Sequence, residues 1–283
     1  MKTSELHKFY EAKLSKRDFD RLSDFIYNNY GIKMPPAKHI MLQSRLQKRL
    51  KALEIQSFDE YVNYVFSKKG IDEIVHMIDV VSTNKTDFFR EPQHFEFLRD
   101  TVLHEAYNHF KQRFFKIWSA GCSSGEEVYT LSMILAEFMA KNPGIDYSIF
   151  GTDISTQVLQ KAITAIYSID KVSVVPLELK RKYLLKSKAS DEKTIRIVPS
   201  LRSKTNFQRI NFMDNAYGVN ENFDIIFCRN VLIYFDRQTQ EKVINRLSRH
   251  LKQGGYFFLG HSESITGLEV PLKQVKPTIF RKI

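Results

Sequence analysis

Residues 116–135 read KIWSAGCSSGEEVYTLSMIL, and this stretch decides the fold. Phe114, Phe115, Ile117 and Trp118 form an aromatic and β-branched run that reads as a buried strand. The run gives way to small residues, Ser119 to Gly125, after which Val128, Leu131, Leu135 and Phe138 recur at helical spacing. Strand, Gly/Ser turn and helix make the nucleotide-binding unit of open α/β sheets. Small residues let a ligand approach the backbone, and the helix N-terminus offers unpaired N–H groups. A purely structural βα turn is the alternative on this stretch alone.

The acids in the motif narrow the ligand. Glu126 and Glu127 open the helix and no Lys follows Gly125, so a pyrophosphate would meet two carboxylates. Acids at this end suit the helix dipole and suit a ligand with hydroxyls and positive charge. S-adenosylmethionine (SAM) is such a ligand: it has a ribose diol, an ammonium and a sulfonium, and no phosphate. An NAD-dependent dehydrogenase is disfavoured for the same reason.

The chain has 283 residues, 43% of them hydrophobic, enough for a packed core in one large or two modest domains. No apolar run approaches the roughly twenty residues of a membrane span, so no membrane insertion is expected. The start, MKTSELHKFYEAK, lacks the apolar region of a signal peptide. A cytoplasmic protein is expected, in which the sequon at Asn84-Lys85-Thr86 is a chance match. Two cysteines, Cys122 and Cys228, give neither a disulfide framework nor metal spacing; packing is their expected role. The net charge of +11 favours an acidic partner, whether nucleic acid, anionic membrane or an acidic protein face.

From about residue 5 to 80 every pattern is helical. AKHIMLQSRLQKRLKAL carries Ile40, Leu42, Leu46 and Leu50 as an apolar set, and Arg45 and Arg49 one turn apart on a shared face. A small bundle with a basic face follows, either an ordinary scaffold or a dock for an acidic helix. Residues 81–95 read as a linker in which Asn84, Thr86 and Arg90 sit beside Phe88 and Phe89, and Pro92 starts a helix. A functional linker would lie over the cofactor mouth, where Arg90 would grip a carboxylate.

Residues 96–283 carry the α/β pattern. YSIFGTDIS predicts a second strand ending in Asp153, positioned to bind a ribose diol or, alternatively, to cap a helix. STQVLQKAITAIY predicts a helix with Ser155 as its N-cap. At about 167–210, KTIRIVPSL and KTNFQRIN alternate like two antiparallel strands of a basic hairpin insert. ENFDIIFCRNVLIYFD resumes a central strand whose end carries Arg229 and Asn230, with Tyr234 beyond. Ligands bind at such strand ends; the alternatives are a turn residue for Asn230 and a half-buried aromatic for Tyr234. GGYFFLGHSES predicts a further strand, with His261 a structural residue at its end, and VKPTIFRKI a last one.

Together, TNKTDFFRE, WSAGCSSGEEVY, FGTDIS, FCRNVLIYFD and GHSES, in this order and spread over nearly the whole chain, resemble the CheR family of chemoreceptor glutamate O-methyltransferases. The resemblance implies a class I SAM-dependent methyltransferase, a Rossmann-like mixed seven-stranded sheet with an N-terminal all-α domain and a small antiparallel β insert. It implies SAM as cofactor, with no metal, and S-adenosylhomocysteine as product. Asn84, Thr86, Arg90, Glu127, Asp153, Asn211, Phe212, Arg229 and Asn230 would line the cofactor site, with Tyr234 by the transferred methyl. Arg45, Lys48 and Arg49 of the helical domain would hold the acidic cytoplasmic helices of methyl-accepting chemotaxis receptors. Gly121, Ser124 and Val128 stand where the family commonly has Ala, Thr and Pro, changes compatible with the site. Family members that tether to a receptor's C-terminal pentapeptide carry glycines in the insert's turn; KSKASDEK has none, so tethering is not expected.

The expected reaction is attack of a glutamate carboxylate on the SAM methyl. The carboxylate is already ionised near neutral pH, so no general base is needed, and no catalytic Ser/His/Asp or Cys/His pattern is evident. Arg90 and Tyr234 would position the acceptor. Two other readings compete: a nucleic-acid methyltransferase on the same fold, which lacks the expected stacking platforms or RNA module, and a SAM-binding regulatory module without turnover.

Overall fold

The computed structural model describes residues 12–188 and 193–283. Its centre is a seven-stranded sheet in the order β6-β2-β1-β7-β8-β10-β9. The strands are β1 (Phe114–Ala120), β2 (Asp146–Asp153), β6 (Thr205–Arg209), β7 (Phe223–Cys228), β8 (Leu251–Leu259), β9 (Leu272–Lys276) and β10 (Ile279–Lys282). The first five pair in parallel; β10 pairs antiparallel with both β8 and β9. Chain order reverses between β1 and β7, so their carboxyl ends flank a crevice of the kind that accepts ligands in open α/β sheets.

Packing follows from alternation along these strands. Ile117 on one face of β1 and Trp118 on the other enter separate apolar clusters, Ile117 with Leu131 and Phe138, Trp118 with Val243 and Leu247. The Trp118 indole is fully buried and donates to the Thr152 hydroxyl at 2.9 Å, which satisfies the polar end of a large apolar side chain. Val128, Leu131, Leu135 and Phe138 of the helix Glu126–Lys141 are all buried, as their spacing predicts. Cys122 and Cys228 are buried, and burial pushes both thiols well above their ordinary range.

The insert departs from the expected hairpin. Thr194–Ile197 (β5) is the middle strand of a separate three-stranded sheet, between Ile166–Ser168 (β3) and Leu184–Lys186 (β4), antiparallel to both. Residues 205–209 instead join the main sheet as β6, parallel to β2. Alternation identifies a strand but not its partner. Here Pro199 starts a short helix where a hairpin turn would be needed, and Lys204 pairs with Asp146 at 2.7 Å, drawing the segment onto β2. Tyr167, expected within a helix, lies in β3 because Ala165 adopts a left-handed conformation (φ 55°) that ends the helix Thr156–Thr164. Residues 189–192, half of the turn that bears on tethering, and residues 1–11 of the amino-terminal reading lie outside the described residues. No helix among the described residues is long and apolar enough to cross a membrane.

Before the sheet, Lys16–Tyr30, His39–Leu53, Phe58–Val65 and Ile71–Val81 form a helical bundle around Leu22, Ile26, Leu46, Tyr61 and Ile78. Ser15 caps the first helix by accepting from the Asp18 N–H. Asp79 of the last accepts from the Thr156 hydroxyl at 2.6 Å, joining bundle to sheet. Ile40 is 78% exposed rather than part of the core, because two residues from Leu42 lies off the buried stripe.

Arg45 and Arg49 do share a face, where each is half-buried and engaged with groups of the protein itself. The Arg49 guanidinium grips both oxygens of the buried Glu73 at 2.8 and 2.7 Å, and Tyr61 donates to the same carboxylate. Arg45 donates to the carbonyls of Val81 and Ser82 and to the Thr83 hydroxyl. Of the three, Lys48 is the exposed one. Removing one partner from a buried pair leaves an uncompensated charge, so Arg49→Met should cost about 3 kcal/mol. Urea unfolding will read this directly; a change under about 0.5 kcal/mol, the scale of surface substitutions, would refute the pairing's structural role.

Candidate cofactor and methyl-transfer site

The crevice opens into a cavity of about 280 Å³, lined by the linker, the β1 turn, the ends of β2 and β7, and the bundle. Asn84, Thr86, Arg90, Glu127, Asp153, Asn211, Phe212, Arg229, Asn230 and Tyr234 all line it. These positions, scattered through the chain, are brought together by the strand order and by a linker folded back over the strand ends. Arg45, Lys48 and Arg49 are not among the lining residues.

The Gly-rich turn is shaped by its close neighbours. Gly121 has φ 89°, and a Cβ there would meet Val231 at 2.3 Å. Asp153 is buried and both its oxygens are already engaged. Oδ2 accepts from the Ser123 N–H at 2.9 Å and Oδ1 from the Ser155 N–H at 3.0 Å. Asp153 thus ties the β1 turn to Ser155, and it is Ser155 that caps the following helix, accepting from the Val158 N–H, while the Asp153 carboxylate borders the cavity. Burial raises its pKa against those hydrogen bonds. Asn211 is likewise held, donating to the Asn29 carbonyl and accepting from the Met213 N–H.

Arg229 is the hub. Its buried guanidinium lies with Nε 3.0 Å from Glu127 Oε2, donates to His94 Nδ1 at 3.1 Å and to the Arg90 carbonyl at 2.6 Å, and rests on the Phe95 ring. Because a guanidinium only donates, His94 Nδ1 must accept; the ring proton is then on Nε2, facing the Thr278 hydroxyl at 2.8 Å. Burial first, then the Arg229 charge, holds His94 down to about 4. Glu127 also accepts from the Ser119 hydroxyl at 2.6 Å. Glu91, His94 and His261 bring ligand-type atoms within 4.8 Å of one another. With Arg229 on His94 Nδ1, a metal ion there would face a fixed positive charge.

Glu263, the last acid of GHSES, was not among the expected site residues. It accepts three backbone N–H groups: Asn230 at 2.9 Å, Leu232 at 2.7 Å and Gly260 at 2.7 Å. Asn230 is held in a left-handed conformation (φ 58°) against Gly260, where a Cβ would lie 2.4 Å from the Asn230 amide. A lone carboxylate four residues past the end of an apolar strand was the available signal. The bundle also contributes Tyr30, Met34, Lys38 and Met41 to the lining; a helical pattern alone gives no hint of which residues meet a distant sheet.

With the geometry described, comparison with known proteins is direct. The model of the CheR methyltransferase SAM binding domain matches residues 84–280, and that of the CheR methyltransferase all-alpha domain matches residues 17–82. The chain belongs to the CheR methyltransferase family. It is 38% identical to a chemotaxis protein methyltransferase of Borreliella burgdorferi, over 95% of each chain. It is 36% identical to one from Escherichia coli K12, covering 90% of this chain and 87% of that one. The fold class is that of a class I SAM-dependent methyltransferase, and SAM is the cofactor. The cavity fits it: Glu127 and Asp153 offer negative charge, Ile154, Ile210 and Phe212 an apolar wall, and Asn84 and Asn230 amides.

Two outcomes follow. Glu263→Gln presents an amide N–H₂ where N–H donors converge, which should cost about 1–3 kcal/mol of stability. It should also weaken SAM binding about tenfold, read by calorimetric titration; unaltered affinity would remove Glu263 from the site. Separately, His94 has a folded pKa below its unfolded value, so the unfolded chain takes up a proton first as pH falls. Stability should rise between about pH 4 and 6.5, and the slope should flatten in His94→Gln.

Proposed function

We propose that this methyltransferase esterifies glutamate side chains on the cytoplasmic helices of chemotaxis receptors, giving glutamyl methyl esters in adaptation. The observation that carries the reading is the pairing of cofactor-type acids with a cation and a phenol on one cavity: Glu127 and Asp153, Arg90 and Tyr234. The chemotaxis methyltransferases to which the chain is similar support the substrate class.

When bound, SAM supplies an electrophilic methyl group. Glu127, already anchored by Ser119 and Arg229, would hold its ammonium; Asp153, Asn211 and Phe212 would hold the adenosyl portion, with Asn84, Thr86 and Asn230 completing the enclosure. Arg90 and Tyr234 then act on the acceptor. One guanidinium nitrogen of Arg90, Nη1, donates to the Lys85 carbonyl at 3.0 Å, which ties the linker back on itself and holds the charged end of the side chain beside the cavity. The Tyr234 hydroxyl reaches the Thr83 carbonyl at 3.4 Å, and burial raises its pKa, so it remains a donor toward a carboxylate. Orientation of an ionised nucleophile in a site shielded from water is the catalytic contribution; no proton need be removed. With Arg45 and Arg49 committed within the bundle, Lys48 and the excess of basic side chains are left to meet the acidic receptor helix. The protein would act in the cytoplasm, where those helices lie.

The deciding assay uses methyl-labelled SAM and membranes bearing chemoreceptors, followed by mild base. Label should enter the receptor and leave as methanol, and Arg90→Ala should slow transfer about 100-fold with SAM affinity less affected. Base-stable label would point to a different acceptor atom. SAM binding with no transfer would count against an enzyme acting on these receptors.

A further inference from the structure

The cofactor site has a clamp outside the cavity. We propose that Lys171 is a positioning residue that holds the linker bearing Thr86 and Arg90 against the start of the helix bearing Glu127. The inference rests on the SAM site described above.

Lys171 sits in the short turn Ile169–Val172 of the β insert. Its ammonium donates to the Thr86 carbonyl at 2.8 Å and to Asp87 Oδ1 at 3.2 Å, and lies 3.7 Å from Glu126 Oε1. Thr86 and Asp87 belong to the linker; Glu126 adjoins Glu127. One cation from the insert thus bridges two segments that must stay together for the cavity to keep its shape.

The seam beneath is closed by neutral contacts. The Ser123 hydroxyl donates to the Asn84 carbonyl at 2.9 Å, Phe88 meets the Tyr167 ring edge-on at 5.1 Å, and the Tyr167 hydroxyl donates to the Ser124 carbonyl at 2.7 Å. The seam also carries two acids, Asp87 half-exposed at its outer side and Glu126 buried beneath. Glu126 is buried, and its carboxyl is raised by burial and further by Asp87, while Ser124 and Lys171 act the other way. An exposed Lys–Asp pair contributes little by itself, and Lys171 and Asp87 are each about half exposed. The importance of Lys171 lies in what its absence leaves: two carboxylates facing one another across the seam, and a linker carbonyl without its donor.

The test is a double-mutant cycle on SAM affinity, read by calorimetric titration of the full chain. Lys171→Met keeps the length of the side chain and removes the charge; at an exposed position it should leave the thermal midpoint within a few degrees. It should raise the SAM dissociation constant about tenfold, and turnover at saturating SAM should fall less than that. In the Asp87→Asn background the same substitution should cost less than about threefold, the difference being the coupling. Lys171→Arg should retain most of the affinity. Wild-type affinity in Lys171→Met, or an equal loss in both backgrounds, overturns the proposal. Failure of the unaltered protein to bind SAM would instead overturn the cofactor site itself.

Discussion

A buried guanidinium governs this molecule. Arg229 has almost no exposure, and a cation in that position must be met by acceptors on several sides. They come from the helix after β1 through Glu127, from the linker through the Arg90 carbonyl, and from the helix Pro92–Phe97 through His94. Each partner is itself constrained: His94 to one tautomer, Glu127 by Ser119. The consequence is that Glu127 and the linker carrying Arg90, both lining the cavity, are set by the same charge. Lys would not serve, since a point cation cannot address three diverging acceptors in a plane.

Around this hub the structure uses carboxylates as backbone clamps. Asp153 takes the N–H groups of Ser123 and Ser155, and Glu263 takes those of Asn230, Leu232 and Gly260. Both fix turns at the carboxyl ends of strands, where the peptide groups leave the sheet's hydrogen-bond ladder and need other partners. A turn held this way tolerates the positive φ of Ser123 and Asn230, conformations that non-glycine residues otherwise avoid. Burial disfavours the ionised carboxylates, and multiple N–H donors offset that cost. The rigidity needed to orient two reactants is therefore built in large part from hydrogen bonds between buried carboxylates and the backbone.

Much of this was legible in the residues, for identifiable reasons. Strand, turn and helix at residues 114–141 announce themselves because periodicity and small residues act locally. Asn84 and Arg90 stood out as a polar set beside two phenylalanines, Glu127 as an acid opening a helix and Asn230 as a polar residue at a strand's end, and all four line one cavity. What misled was pairing. Residues 205–209 look like the second strand of a hairpin, and their parallel pairing with β2, flanked by the contact of Lys204 with Asp146, is what adds them to the main sheet. Arg45 and Arg49 look like a free basic face, yet each has partners within the protein, Glu73 for Arg49 and the carbonyls of Val81 and Ser82 for Arg45. In both cases the deciding partner is distant in sequence, and a one-dimensional pattern contains no information on it.

The same distinction bears on how the charge of +11 is to be read. A count of basic residues overstates the surface available to an acidic partner, because several of the most suggestive cations are consumed internally. Arg49 offsets a buried acid, Arg45 ties the bundle to the linker, Lys171 ties the insert to the linker, and Arg229 organises the site. Three of these four end on the segment from Thr83 to Arg90, a piece of chain that touches bundle, sheet and insert. Positive charge in this protein thus serves first to hold a linker in place over the strand ends. Lys48 is among the cations left exposed on the bundle, and the linker so held lies over a cavity that is already formed.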